Sequence, residues 1–292
     1  MSTEPAAQVF DIRYRLDDGE RVGRRRALWS LTRWSALRAL GVTRDWKAKV
    51  GPFAMIVAAL APAISVLGVR ALITDRTDFR LPTEIISYRD YAGIVGTAIL
   101  VFAAIMAPRL MCEDRAERVL PLYFSTAVGS REYVGAKLLA AFLPMLLVTA
   151  APALVLFVGN VVFTEHPFTY LRDNVDDIGR ILAGGTAMAV YYAVFALAVA
   201  SFTGRTAFAI AGFIAIVLGS GAVSGVVGAS MPDFASAPAL ALSFVPIRIY
   251  ESFFPGGANS GEGPLGAHLL TYAIVVGVGL AILATRYRSE DR

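Results

Sequence analysis

Outside the N-terminal arm, the densest set of ionisable side chains is Glu113, Asp114, Arg115, Glu117 and Arg118, followed across an apolar patch by Arg131, Glu132 and Lys137. Mixed signs at this spacing suit salt bridges to a partner surface. A solvated loop would show the same charges, but the apolar stretch 119–124 between them would then face water unless a partner or the bilayer covered it. The remaining candidates for chemistry are weaker. Asp173, Asp176 and Asp177 could hold a divalent cation, yet acids at a helix start explain them better. His166 and His268 lack the His or Cys neighbours of a zinc site and read as loop residues. Ser220, between Gly219 and Gly221, has no histidine inside any apolar run to act as its base. Cys112 is the only cysteine, which excludes an intrachain disulfide and multi-thiolate metal sites. No Gly-x-x-x-x-Gly-Lys-Ser/Thr occurs, so the chain carries no ATP-binding phosphate loop of its own.

The elements that must position these residues are set by composition. Of 292 residues 56% are apolar and 17% charged, and the mean hydropathy is +0.60. A soluble domain carries about 45–50% apolar and ~25% charged residues, so a soluble enzyme is excluded. The apolar residues gather into charge-poor runs long enough to cross ~30 Å of hydrocarbon. They fall at 50–69, 91–111, 138–163, 178–202, 207–231 and 266–285. The sequence therefore predicts an all-α integral membrane protein with six transmembrane helices, residues 50–292, preceded by an arm, residues 1–49. Pro52, Pro62, Pro144 and Pro152 are tolerated where neighbouring helices satisfy the backbone. Tyr88 and Tyr91 suit the membrane interface. No mid-span Asp, Glu, His or Arg is evident, which weakens an ion-coupled carrier without removing sodium coupling through carbonyl and hydroxyl oxygens. In the fifth span Gly221 and Gly225, four apart, predict close helix packing, within the chain or between two copies.

The net charge of +4 and pI near 9.3 would suit a nucleic-acid binder if read without position. Six spans place twenty Lys and Arg on the side of the termini and seven on the other. Both termini are thus expected in the cytoplasm, in a multi-pass protein of the cytoplasmic membrane, with no nucleic-acid partner. No signal peptide precedes the first span. The segment 237–254 is apolar but contains Pro246, Arg248 and Glu251. A seventh span there would move the C-terminal arginines outside, so a re-entrant or interfacial outer segment between helices 5 and 6 fits. An ordinary loop with an apolar patch explains it as well. In the arm, arginines mixed with Trp29, Trp34 and Trp46 suit an interfacial cytoplasmic helix, although Leu28, Leu31, Trp34, Leu37 and Leu40 do not gather on one arc.

The stretch 113–137 resembles the loop between the second and third spans of ABC transporter permeases of the type-2 exporter class. Glu113 and Arg115 match that family's charged cluster, Ser130-Arg131-Glu132 its turn, and Gly135-Ala136-Lys137 its entry into the third span. Val119-Leu120-Pro121 stands where the family usually has Gly-Thr-Leu. The resemblance implies a permease subunit that moves a substrate outward and pairs with a second copy or a paralogue. It also implies a separate ABC ATP-binding subunit, docked through Glu113, Asp114, Arg115, Glu117, Arg118, Arg131 and Lys137 and through the arm. No cofactor would be bound by this chain, with ATP and magnesium on the partner subunit and lipids around the spans. Re-entrant helices cap the pathway in that family, which would make Phe244, Arg248, Glu251 and Phe253 an outer gate. The competing readings are an ATP-independent transporter or channel and, behind it, an integral membrane enzyme acting on lipid.

Overall fold

The computed structural model describes residues 23–43, 46–76, 86–117, 129–257 and 263–288. Among them there is no strand. The helices are α1 (Arg24–Ala39), α2 (Trp46–Arg76), α3 (Tyr88–Ala116), α4 (Ser130–Phe163), α5 (Pro167–Asp173), α6 (Val175–Ala200), α7 (Thr206–Ser230), α8 (Phe244–Ser252) and α9 (Leu265–Arg288), with a 3-10 turn at Ala237–Leu240. Six of these, α2, α3, α4, α6, α7 and α9, are long and apolar enough to cross a membrane. They coincide with the six apolar runs and overshoot most of them at one or both ends. At 1.5 Å per residue the 34 residues of α4 reach about 51 Å, well beyond the hydrocarbon. The turns that project carry the charged residues.

Local signals set several helix ends. Ser87 caps α3, its hydroxyl accepting from the Asp90 amide at 3.1 Å, and Asp90 adds a carboxylate to the first turn. Glu132 folds back to accept from the Gly129 amide at 3.2 Å and closes the start of α4. Asp176 and Asp177 lie in the first turn of α6, and Asp177 holds Arg180 at 2.6 Å, the helix-start role favoured for these acids.

The bundle has a centre and a periphery. In the most apolar stretch of α6, 72% of residues are buried, against 11% in α7, with α3 and α4 near the centre and α2 and α9 near the edge. The α4–α6 contact is the most extensive and is built on small residues. A Cβ at Gly185 would stand 2.9 Å from the Ala150 Cβ and 3.2 Å from its Cα, and the Thr149 hydroxyl donates to the Gly185 carbonyl at 2.8 Å. Gly159 against Leu67, Gly184 against Tyr250, and Gly279 against Val194 make comparable approaches. Gly221 and Gly225 do not, since no atom among the described residues lies within 4 Å of a Cβ at either position. We expect Gly185→Val to force the backbones apart at a cost of about 1–3 kcal/mol, visible as a lower melting temperature in detergent. Gly221→Val should leave it unchanged.

Tyr88 and Tyr91, in the first turn of α3, turn into the bundle and are 4% and 1% exposed, with the Tyr91 hydroxyl donating to the Ala59 carbonyl at 2.7 Å. Arg70, just past the first apolar run, is held inside α2 and is 6% exposed. It donates to Asn160 Oδ1 at 2.9 Å, and Asn160 donates to the Tyr88 hydroxyl at 2.7 Å, which meets that of Tyr170 at 2.9 Å. In a low-dielectric interior such a chain is stable only when its members satisfy one another. It ties together the ends of α2 and α4, the start of α3, and α5.

Candidate functional site

At the end of the bundle where α3 stops and α4 begins, the helices extend the charged stretch inward. Glu113, Asp114 and Arg115 belong to the last turn of α3, and Glu117 follows as its cap. Arg131 and Lys137 lie in the first two turns of α4, and Arg118 lies outside the described residues. The expected loop 113–137 is therefore helical at both ends.

Helical placement separates these residues by direction. Asp114 is fully buried and Lys137 is 1% exposed, with Lys137 Nζ 2.6 Å from Asp114 Oδ2. The same carboxylate accepts from Arg38 Nη1 at 3.0 Å and from the Tyr133 hydroxyl at 2.8 Å, while Lys137 also donates to the Ser35 hydroxyl at 3.1 Å. One carboxylate thus gathers α1, α3 and α4. Buried charges persist only when paired and hydrogen-bonded, and here each oxygen of Asp114 has a charged donor.

The face that α1 turns inward is Thr32, Ser35 and Ala39, spaced three and four apart, while Trp29 and Trp34 remain exposed. The helix docks through these small and polar residues, with Leu28, Leu31 and Leu40 half-buried against the core, and presents its tryptophans outward. An ion pair between Arg24 and Glu132 and a bond from Arg109 to the Ala39 carbonyl hold its two ends. Ser35, Arg38 and Tyr133 are central to this cluster and were not singled out from sequence. The available signal was weak, a serine and an arginine three apart in a basic arm.

A second layer reaches α6 and α9. Arg115 donates to the Ser201 carbonyl just past α6 and lies 5.3 Å from the Tyr287 ring, which packs 5.5 Å from that of Tyr133. The Tyr287 hydroxyl donates to Met111 Sδ at 3.2 Å. Glu117 and Arg131, by contrast, are exposed. The cluster joins α1, α3 and α4 around one carboxylate and leaves Glu117 and Arg131 exposed at its rim. Arg115→Ala should cost about 1–3 kcal/mol of stability through its lost hydrogen bond and ring contact, read by thermal melting.

The opposite end holds the 237–254 segment. The Tyr191 hydroxyl, from the middle of α6, donates to the Leu242 carbonyl at 3.0 Å, and Ser220 accepts from the Leu242 amide at 3.1 Å. Ser220 lies ten residues before the end of α7, so the segment dips about 15 Å along that helix. Ser220 is accordingly a structural anchor. Of the four residues assigned to an outer gate, Arg248 is 1% exposed, near Glu251 at 3.6 Å and donating to the Gly257 carbonyl, whereas Phe244 and Phe253 are exposed. The turn that brings this carbonyl back uses Gly256, whose φ of 74° suits glycine. His268 is not a loop residue but sits buried in the first turn of α9, its Nδ1 3.2 Å from the Pro264 carbonyl.

The architecture is that of a multi-pass membrane protein. No curated protein and no solved structure matches the chain. The family model described as ABC-2 family transporter protein matches residues 74–283, from the end of α2 to the last turns of α9. With most of its length matched, including Asp114, Tyr133 and Lys137 and the dipping segment, the chain belongs to the ABC-2 family of transporter membrane proteins.

Proposed function

We propose that this chain is the permease subunit of an ATP-driven exporter, moving a substrate outward with energy from a separate ATP-binding subunit that carries ATP and magnesium. The observation that carries the reading is the weld of α1, α3 and α4 around Asp114 at the end of the bundle that presents Glu117 and Arg131 outward. A push on that rim would move three helices together, which is what an external motor requires. Substrate affinity alone cannot supply such work, because a ligand shifts an equilibrium only by its differential affinity for two states. The excess of Lys and Arg on the same side supports placing this end, and both termini, in the cytoplasm. A second permease chain is supported by α7, whose surface is largely uncovered and whose Gly221 and Gly225 leave open space where a Cβ would stand.

The test is co-purification of an ATP-binding protein with the chain, then ATP turnover in vesicles. Glu117→Ala with Arg131→Ala should weaken capture of the ATPase about fivefold, since exposed ion pairs contribute up to about 1 kcal/mol each. Melting temperature should not change. Cargo movement in vesicles that hold no ATPase would overturn the reading. Topology is tested separately, in a background with Cys112 replaced: Ser260→Cys should react with an impermeant reagent added outside cells, and Ser289→Cys should not.

A further inference from the structure

The 237–257 segment is held in two different ways along its length. Its first part is fastened to the spanning helices by hydrogen bonds. Tyr191 and Tyr192 of α6 donate to the Leu242 and Ser243 carbonyls, Ser224 of α7 donates to the Ala237 carbonyl, and Ser220 accepts from the Leu242 amide. Each of these bonds lies before α8, which is seated by shape. Ile247 and Tyr250 are three apart, and so share a face of α8, and they enter notches left by glycines on two different helices. A Cβ at Gly96 of α3 would stand 2.8 Å from Ile247 Cδ1, and one at Gly184 of α6 would stand 2.7 Å from Tyr250 Cδ2. Arg248 donates to the Gly257 carbonyl and Ser252 to that of Ile249, bonds within the segment that stiffen α8 and the turn after it as one piece.

One group in this seat is unmatched. Tyr250 is 1% exposed, yet its hydroxyl has no hydrogen-bond partner in the protein. Buried tyrosines nearly always find one. Tyr91, Tyr191, Tyr192 and Tyr272, on the helices that α8 packs against, all do, each donating to a backbone carbonyl. A hydroxyl that leaves water without finding an acceptor offsets part of the stabilisation that the ring obtains in the Gly184 notch.

We propose that α8 is a lid hinged at Ser243, and that the unmatched Tyr250 hydroxyl keeps its seated position only slightly more stable than a raised one. Raising α8 lets that hydroxyl find an acceptor and uncovers the wall formed by Gly96 on α3 and Gly184 on α6, while 237–243 stays fastened to α6 and α7. The lid is a property of this chain by itself and is independent of ATP coupling.

The experiment is amide hydrogen exchange on the full chain in phospholipid vesicles, read peptide by peptide, because exchange in a segment that opens by itself reports the free energy of that opening. Tyr250→Phe removes the unmatched group and keeps the ring, so exchange in 244–254 should slow about tenfold, equivalent to 1.4 kcal/mol, with α3 and α6 unchanged. Gly184→Ala should act in the opposite direction: its methyl group meets the Tyr250 ring, and exchange in 244–254 should rise about tenfold. Gly96→Ala, which meets Ile247, is the second such variant should the first not yield folded protein. Unchanged or faster exchange of 244–254 in Tyr250→Phe would overturn the proposal, since the hydroxyl would then have a partner in the seated position, a bound water included. So would slowing shared equally by α3 and α6, which would mark a change in the whole bundle, or exchange indifferent to both glycine variants, which would remove the notches as the seat.

Discussion

Asp114→Ala should lower stability by about 3–5 kcal/mol, the cost of leaving a buried charge without its partner. Lys137 is 1% exposed and 2.6 Å from the Asp114 carboxylate, so the truncation strands an ammonium in the bundle. Arg38 also loses its acceptor, but its side chain is 32% exposed and can turn to water. The prediction separates a pair effect from simple loss of a side chain. Asp114→Leu combined with Lys137→Met removes both charges at similar volume and should recover most of the stability, because the desolvation cost disappears with the pair. Thermal melting in detergent measures both. Hydrogen exchange adds location: in the single variant protection should fall first in α1, which Asp114 holds through Arg38 and Lys137 holds through Ser35. If the double variant were no more stable than Asp114→Ala, the charge pairing would not be what holds this end together.

Arg248→Ala is the second large effect, and it acts at the other end. Arg248 is among the largest fully buried side chains, placed near Glu251 and donating to the Gly257 carbonyl. Removing it leaves a cavity and a half-satisfied carboxylate, for an expected loss of about 3–5 kcal/mol. The loss should be local, since the 237–257 segment is otherwise fastened by Tyr191 and Tyr192 to the Leu242 and Ser243 carbonyls and by Ser220 and Ser224. Each of those hydrogen bonds is worth only about 0.5–1.5 kcal/mol. Limited proteolysis should therefore cut between α7 and α9 in Arg248→Ala while the rest of the chain stays resistant. Tyr191→Phe should produce little cutting. Equal resistance of Arg248→Ala and the parent protein would refute this role for the arginine.

The charged stretch 113–137 shows where sequence reading stopped. Its composition marked it as an interaction element, and its residues do lie where two spanning helices meet. What could not be read was which of them face out. Asp114 and Glu117 differ by three positions along one helix turn, yet one is buried under α1 and α4 and the other is exposed, a difference created by helices whose own residues lie 76 and 23 positions away. The same limit applied to the glycines. Gly221 and Gly225 have a recognisable spacing and open space where a Cβ would stand, whereas Gly185, in an unremarked Gly-Gly pair, brings α6 against the Ala150 backbone at the most extensive contact. Spacing describes one helix, and a close approach requires two.

By itself the sequence determined that this protein lives in a membrane, that it is helical, and how many times it crosses. Those properties follow from transfer of apolar runs out of water and from the need to satisfy backbone hydrogen bonds within each segment, and both are local to the run. Only the tertiary structure decided that Asp114 is a buried hub, that Tyr88 and Tyr91 point inward, and that 237–254 dips along α7 to meet Tyr191. Those depend on partners far apart in the chain. A polar group in an apolar surrounding takes whatever partner the packing brings within reach, and no pattern in its own neighbourhood names that partner in advance.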